Sequence, residues 1–178
     1  TSITLPANRD FATFAQLAVR LNAQSAGALA NADLIYPTEF EVSCKRNFAA
    51  DDVTTRYGFL PDEPTPDSWY EVTGAMKFSK YETANEALFD ALMDKSRKKV
   101  DFKMTGPAIG ATFFQYNMYF PDLQFDTGDA NTGGPERIPL NVNYVASLVS
   151  AIPTGFPAGY TDPVTLELVN QKNTDALA

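Results

Sequence analysis

The order of elements between Trp69 and Val149 constrains the fold of this chain more than any other feature. Residues 69–80 alternate as a strand, with Tyr70, Val72, Met76 and Phe78 on one face and Gly74 where a bend or bulge is expected. Thr83-Ala84-Asn85-Glu86 then has the form of a capping box, in which hydroxyl and carboxylate satisfy each other's backbone donors. Ala84, Ala87, Leu88, Ala91 and Leu92 continue as an apolar helical stripe. About thirteen residues at about 1.5 Å each give a helix roughly 20 Å long, enough to cover an open end or face of a sheet. Glu82 and Glu86 sit at the positive end of its dipole, and Lys95, Arg97, Lys98 and Lys99 lie at or beyond the negative end. Helix-end electrostatics accounts for that basic run more simply than phosphate binding does.

Strands follow the helix. In 99–105, Val100, Phe102 and Met104 oppose Lys99, Asp101, Lys103 and Thr105, and Gly106-Pro107 is expected to turn the chain. In 113–120, Phe114, Tyr116, Met118 and Phe120 share a face, and Pro121 is expected to end the pairing. A turn-rich loop over 126–136 leads into the longest alternation, Ile138, Leu140, Val142, Tyr144, Ala146 and Leu148. After the Pro/Gly-rich 153–163, Val164, Leu166 and Leu168 form a last strand.

Ahead of this block, residues 2–5 read as a short strand before Pro6. Phe11, Phe14, Leu17, Ala18 and Leu21 recur at helical spacing behind Asp10, a candidate N-cap, and the stretch to Ala32 reads as helix end and connection. Residues 38–46 alternate, with Phe40, Val42 and Cys44 opposite Glu39, Glu41, Ser43 and Lys45. Residues 47–68 are too long for a hairpin turn. Phe48, Tyr57 and Phe59 leave two readings open there, a structureless loop and an arm that orders against a neighbouring subunit. No internal repeat or second domain is evident. The fold class expected is mainly β with one or two short helices.

Composition removes most chemistry. The 178 residues carry no histidine, which excludes His-dependent triads, His acid/base catalysis and most zinc sites. Cys44 is the single cysteine, so no intrachain disulfide or thiolate cluster exists. Its place in an alternating strand predicts a small buried hydrophobe, and a reducing, intracellular setting fits. With 22 acidic and 14 basic residues, the net charge of −8 argues against tight wrapping of DNA but suits a conduit to which DNA does not stick. No apolar run has membrane-spanning length and the start lacks a signal-peptide pattern. A chain that begins at Thr1 is expected to be processed or a fragment.

Two constellations offer chemistry. Asp126-Thr127-Gly128 matches the tripeptide of aspartic proteases, but Asp129 follows where a small residue belongs and no supporting apolar strand with a glycine lies downstream. Asp126, Asp129 and Asn131 offer oxygens to calcium, yet lack EF-hand spacing and its terminal glutamate; turn formation explains them. Trp69 stands near a strand start as core or interface, and Glu39 and Glu41 form an acidic strand face, solvated by default. No catalytic, cofactor-binding or metal-binding residue is assigned, and no cofactor is expected.

The segments PTEFEVSCKRNF (37–48), YEVTGAMKFSKYETANEALFDAL (70–92), KVDFKMTGPAIGATFFQYNMYFPDLQF (99–125), PLNVNYVASLVSA (139–151) and DPVTLELVN (162–170) together resemble the tail tube proteins of long-tailed bacteriophages, and of related gene-transfer particles. The resemblance is one of element order rather than of an invariant motif, and those proteins are often longer on the N-terminal side. It implies a β-sandwich or barrel with a flanking helix over 37–170, preceded by an N-terminal helix or extension over 1–36 and followed by a tail over 171–178. It further implies six-membered rings stacked around an acidic lumen, with the loops 47–68 and 121–137 bridging successive rings. The partners would be further copies, other tail proteins and DNA passing without specific binding, with no membrane, in a virion assembled in host cytoplasm. A tail terminator, a distal adaptor or the tube of a contractile injection machine shares these features. A monomeric binding module using Trp69 and the tyrosines, or an aspartic protease, stands as the alternative from outside the structural class.

Overall fold

The computed structural model describes residues 16–46, 55–56, 60–61, 70–80, 83–109, 112–130 and 139–169. Their elements, in chain order, are β1 (Leu17–Ala23), a 3-10 turn (Asn31–Asp33), β2 (Leu34–Ile35), β3 (Glu39–Lys45), β4 (Thr55–Arg56), β5 (Leu60–Pro61) and β6 (Glu71–Phe78). Then come α1 (Thr83–Met93), β7 (Lys98–Ile109), β8 (Thr112–Ala130), β9 (Leu140–Ala146) and β10 (Thr165–Val169). The protein is therefore mainly antiparallel β with one short α-helix among the described residues. Two compact units divide it. The first takes in the described residues up to Tyr36, Arg97–Leu123 and those from Leu148 on; the second comprises Pro37–Ser96 and Gln124–Ser147.

In the first unit β1 lies between β2 and β7, and β8 pairs with both β7 and β10. Register puts Val19 opposite Phe102 and Val100 opposite Phe120, so alternation gathers these four on one buried face. Phe102 and Phe120 meet edge to face at 5.9 Å. Their diagonal contact is the pairing that a pleated surface favours for large rings.

The expected helix from Asp10 is corrected for 17–23, which is strand β1; residues 10–15 lie outside the described set. Leu17 and Leu21 are four apart, a spacing that fits a helix face and also every second residue of a strand. The seven-residue register with β7 decides the matter, because it pairs every second residue's backbone over the full length of the segment.

Two prolines read as stops are also corrected. β7 continues through Gly106-Pro107, where its register against β8 shifts between Thr105 and Ala108. β8 runs 19 residues through Pro121 to Ala130, so residues 121–130 of the expected loops 121–137 and 126–136 are strand. At the proline Lys98 faces Leu123 while Val100 faces Phe120, two steps against three, so Pro121 sits in a bulge. A bulge is the place inside a sheet where a residue without an N–H breaks no ladder bond.

In the second unit β6 lies between β3 and β9 with unbroken registers, and α1 follows β6. Val72, Met76, Phe78, Leu140, Val142 and Tyr144 form the buried face. Gly74 makes no bulge. It is opposite Tyr144, and a Cβ there would stand 2.0 Å from the Glu41 carbonyl oxygen and 2.4 Å from the tyrosine hydroxyl. The glycine leaves room for the ring to cross β6, stack on Phe40 at 5.6 Å and donate to that carbonyl at 2.8 Å.

Helix α1 buries Leu88 and Ala91, two of the expected stripe. The Thr83 side chain of the anticipated capping box lies outside the described residues. The C-terminal end is a Schellman turn: Ser96 N–H donates to Ala91 O at 3.1 Å and Lys95 N–H to Leu92 O at 3.3 Å. Lys95 holds the left-handed position, φ 50°, that glycine usually fills.

Other expectations fail at the ends of elements. Cys44 is exposed rather than buried, being near the end of β3, which pairs only with β6 among the described residues. Leu148 lies past the end of β9 and is exposed.

Candidate functional site

The second unit's strands have an open polar side. Glu39, Glu41 and Ser43 on β3, Thr73, Ala75 and Lys77 on β6, and Asn141 and Asn143 on β9 share it by register. Lys77 donates to Glu39 at 2.6 Å, and Asn143 donates to the Thr127 hydroxyl on β8 at 2.7 Å. Glu41, Thr73, Asp126 and Asn143 border a shallow hollow of about 310 Å³. Hydroxyl, amide and carboxylate groups dominate this surface. It offers hydration and weak repulsion to a polyanion rather than adhesion.

The first unit hides its polar side. Arg20 on β1 holds Asp101 on β7 through two hydrogen bonds, one from Nε at 2.9 Å, and a third bond from the same guanidinium reaches Leu29 O at 3.2 Å. The bond to Asp101 raises the guanidinium pKa against the opposing effect of burial, so Arg20 keeps its charge. The Tyr119 hydroxyl and Asn117 Nδ2 both donate to Glu167 on β10, at 3.1 and 3.0 Å. Phe156 and Tyr160 pack on the Tyr119 ring at 5.4 and 5.1 Å. Burial, then the charge of Glu167, pushes the phenol pKa up to about 12, which keeps it a donor.

Lys99, fully buried, is the centre of this side. Its ammonium donates to Ala26 O at 2.7 Å, Gly27 O at 2.7 Å and Thr154 O at 2.9 Å. Three donors meet three carbonyls, which binds two covering segments to β7. Burial lowers the lysine pKa, with Asp33 opposing. The last turn of α1 holds no basic residue, and the basic run beyond it has other contacts. Lys98 and Lys99 are strand residues, and Arg97 donates through Nη1 to Asp122 Oδ2.

Asp122 is buried in the β8 bulge, and its Oδ1 has no hydrogen-bond partner among the described residues. Burial raises its pKa, and Arg97 offsets this only in part. The pair borders an open cleft of about 480 Å³, with Gln24, Ser25, Ser150 and Thr154 also on its wall. Sequence reading missed Lys99 and Asp122. An acid inside the apolar run Phe120-Pro121-Asp122-Leu123 was the available signal for the second.

Of the residues that could carry chemistry, Asp126 and Thr127 stand exposed on β8. The Asp129 side chain, Asn131 and Trp69 lie outside the described residues, as does all of 47–68 except β4 and β5. No group of three or more Cys, Asp and Glu placed to hold a metal ion occurs among the described residues. No helix there is long and apolar enough to cross a membrane.

Neither protein-family models nor curated proteins match the chain. Solved structures do. The SPP1 tail tube superposes with a TM-score of 0.53 at 9% identity, covering 76% of this chain and 75% of its own. The tail of an empty GTA particle, refined with helical C6 symmetry, gives 0.52 at 9% identity, covering 80% and 98%. An Hcp protein gives 0.47 at 12% identity, covering 74% and 88%. The chain thus has the fold of tail tube proteins, and the resemblance carried by its element order holds at the level of fold.

Proposed function

We propose that this chain is a structural subunit of a phage-type tail tube, without catalytic residues, that forms stacked six-membered rings around a channel conducting DNA. The observation that carries the reading is the fold shared with the SPP1 tail tube and with the GTA tail, whose refinement used six-fold symmetry. Two surface features support it. The open polar side of the second unit, with Glu39 and Glu41, suits a channel wall that a polyanion slides past. The β10 strand carries Leu166 and Leu168 exposed at 59% and 66%, an apolar edge that pairing between subunits would cover. Further copies and other tail proteins are then its partners, and the virion tail its location.

Sedimentation velocity of the purified protein over rising concentration tests the reading. Species at the hexamer and its multiples are expected. A single monomeric boundary throughout contradicts the proposal.

A further inference from the structure

Building on the assembly reading, we infer that the cleft beside Arg97 seats an aspartate or glutamate side chain of a second copy of this chain. Arg97 is only partly engaged. Its Nη1 bonds Asp122, its side chain is 54% exposed at the cleft, and no further hydrogen bond of its side chain occurs among the described residues. A guanidinium has five N–H donors in a planar fork, so one carboxylate leaves a second edge free for another.

Asp122 explains how that edge is held. A buried carboxylate with one unpartnered oxygen brings the isolated subunit little, because desolvation offsets its attraction for Arg97. Its effect is to fix the guanidinium at the wall of the cleft, which makes Asp122 a positioning residue. Gln24, Ser25, Ser150 and Thr154 add hydroxyl and amide groups around the same space.

Charge complementarity selects the occupant. Each copy carries 22 acidic against 14 basic residues, so two copies repel unless acids meet fixed cations. Arg20 is committed to Asp101, Lys77 to Glu39 and Lys99 to three carbonyls; Lys45, Lys95, Lys98 and Lys103 line neither hollow, whereas Arg97 keeps donors at an open cleft.

The test measures the concentration at which full-length protein begins to pellet as assemblies, with thermal unfolding of the unassembled protein as the control. Arg97→Gln alone strands Asp122, so the charge variant is Arg97→Gln with Asp122→Asn, which leaves a neutral amide pair. Ser150→Trp blocks the cleft from an exposed position without touching the pair. Both variants are expected to unfold near the wild-type temperature and to need at least about tenfold more protein to assemble. Wild-type assembly is expected to weaken with added salt. Wild-type assembly with both variants unchanged overturns this inference alone. So does loss confined to Ser150→Trp, because the occupant would then fit by shape rather than charge. A wild type that never assembles overturns the tube reading and the inference with it.

Discussion

Single residues set the limits of this fold where side chain and backbone compete for the same space. At Gly74 a methyl group would overlap the Glu41 carbonyl and the Tyr144 hydroxyl. Backbone cannot yield as a flexible side chain does, so Gly74→Ala should destabilise the protein by about 1–3 kcal/mol in denaturant unfolding. Lys95 is the opposite case, since its left-handed backbone is strained for any residue with a Cβ. Lys95→Gly should raise the unfolding free energy by about 1 kcal/mol, measured the same way. Asp122 gives a pH signature. Its folded pKa lies above the ordinary carboxylate value, so the folded state binds that proton more tightly than the unfolded chain. Stability must then fall as pH rises from the ordinary carboxylate range through the raised value. In Asp122→Asn that component is gone. The difference, variant minus wild type, should grow through that window and level off above it, as read from denaturant midpoints at successive pH values.

Elements were legible where alternation was long and unbroken. Within Glu71–Phe78 and Leu140–Ala146 the strands follow the expected faces, with Tyr70 and Leu148 exposed just outside them, because a strand buried on one side cannot slip by one without exposing its whole apolar set. Helix α1 was legible for a similar reason, its stripe being long enough to fix a period. Apart from Cys44 and Leu148, which lie at or beyond strand ends, the failures share a cause: local signals were outvoted by long-range pairing. The helical spacing through Leu17 and Leu21 lost to the register with β7, and Pro121 and Gly106-Pro107 became irregularities inside strands rather than their ends. Lys99 was placed correctly on the polar face of its strand, but nothing local reveals that carbonyls from residues 26, 27 and 154 converge on it. Residues 47–68, read as a loop or an ordering arm, belong to this scale too. Under the tube reading, deleting residues 50–66 should impair polymerisation while circular dichroism and thermal unfolding stay near wild type. Tubes of normal length from the deletion variant would remove this segment from the contact between rings.

The whole molecule joins a fold shared with tail tubes to a surface short of positive charge. An acidic excess of 8 units disfavours both chance association of copies and adhesion of a polyanion, so under the tube reading contact between copies must rest on local features. The apolar edge at Leu166 and Leu168 and the cleft at Arg97 are two such features. Apolar contact strengthens with salt of the excluded kind, while the ionic contact is screened. Assembly driven by both should therefore respond to the identity of the salt as well as to its concentration. Negative-stain electron microscopy of the purified protein at high concentration tests the central claim most directly. Hollow tubes, or rings with a central channel, are the expected result; a uniform field of small monomers would contradict it.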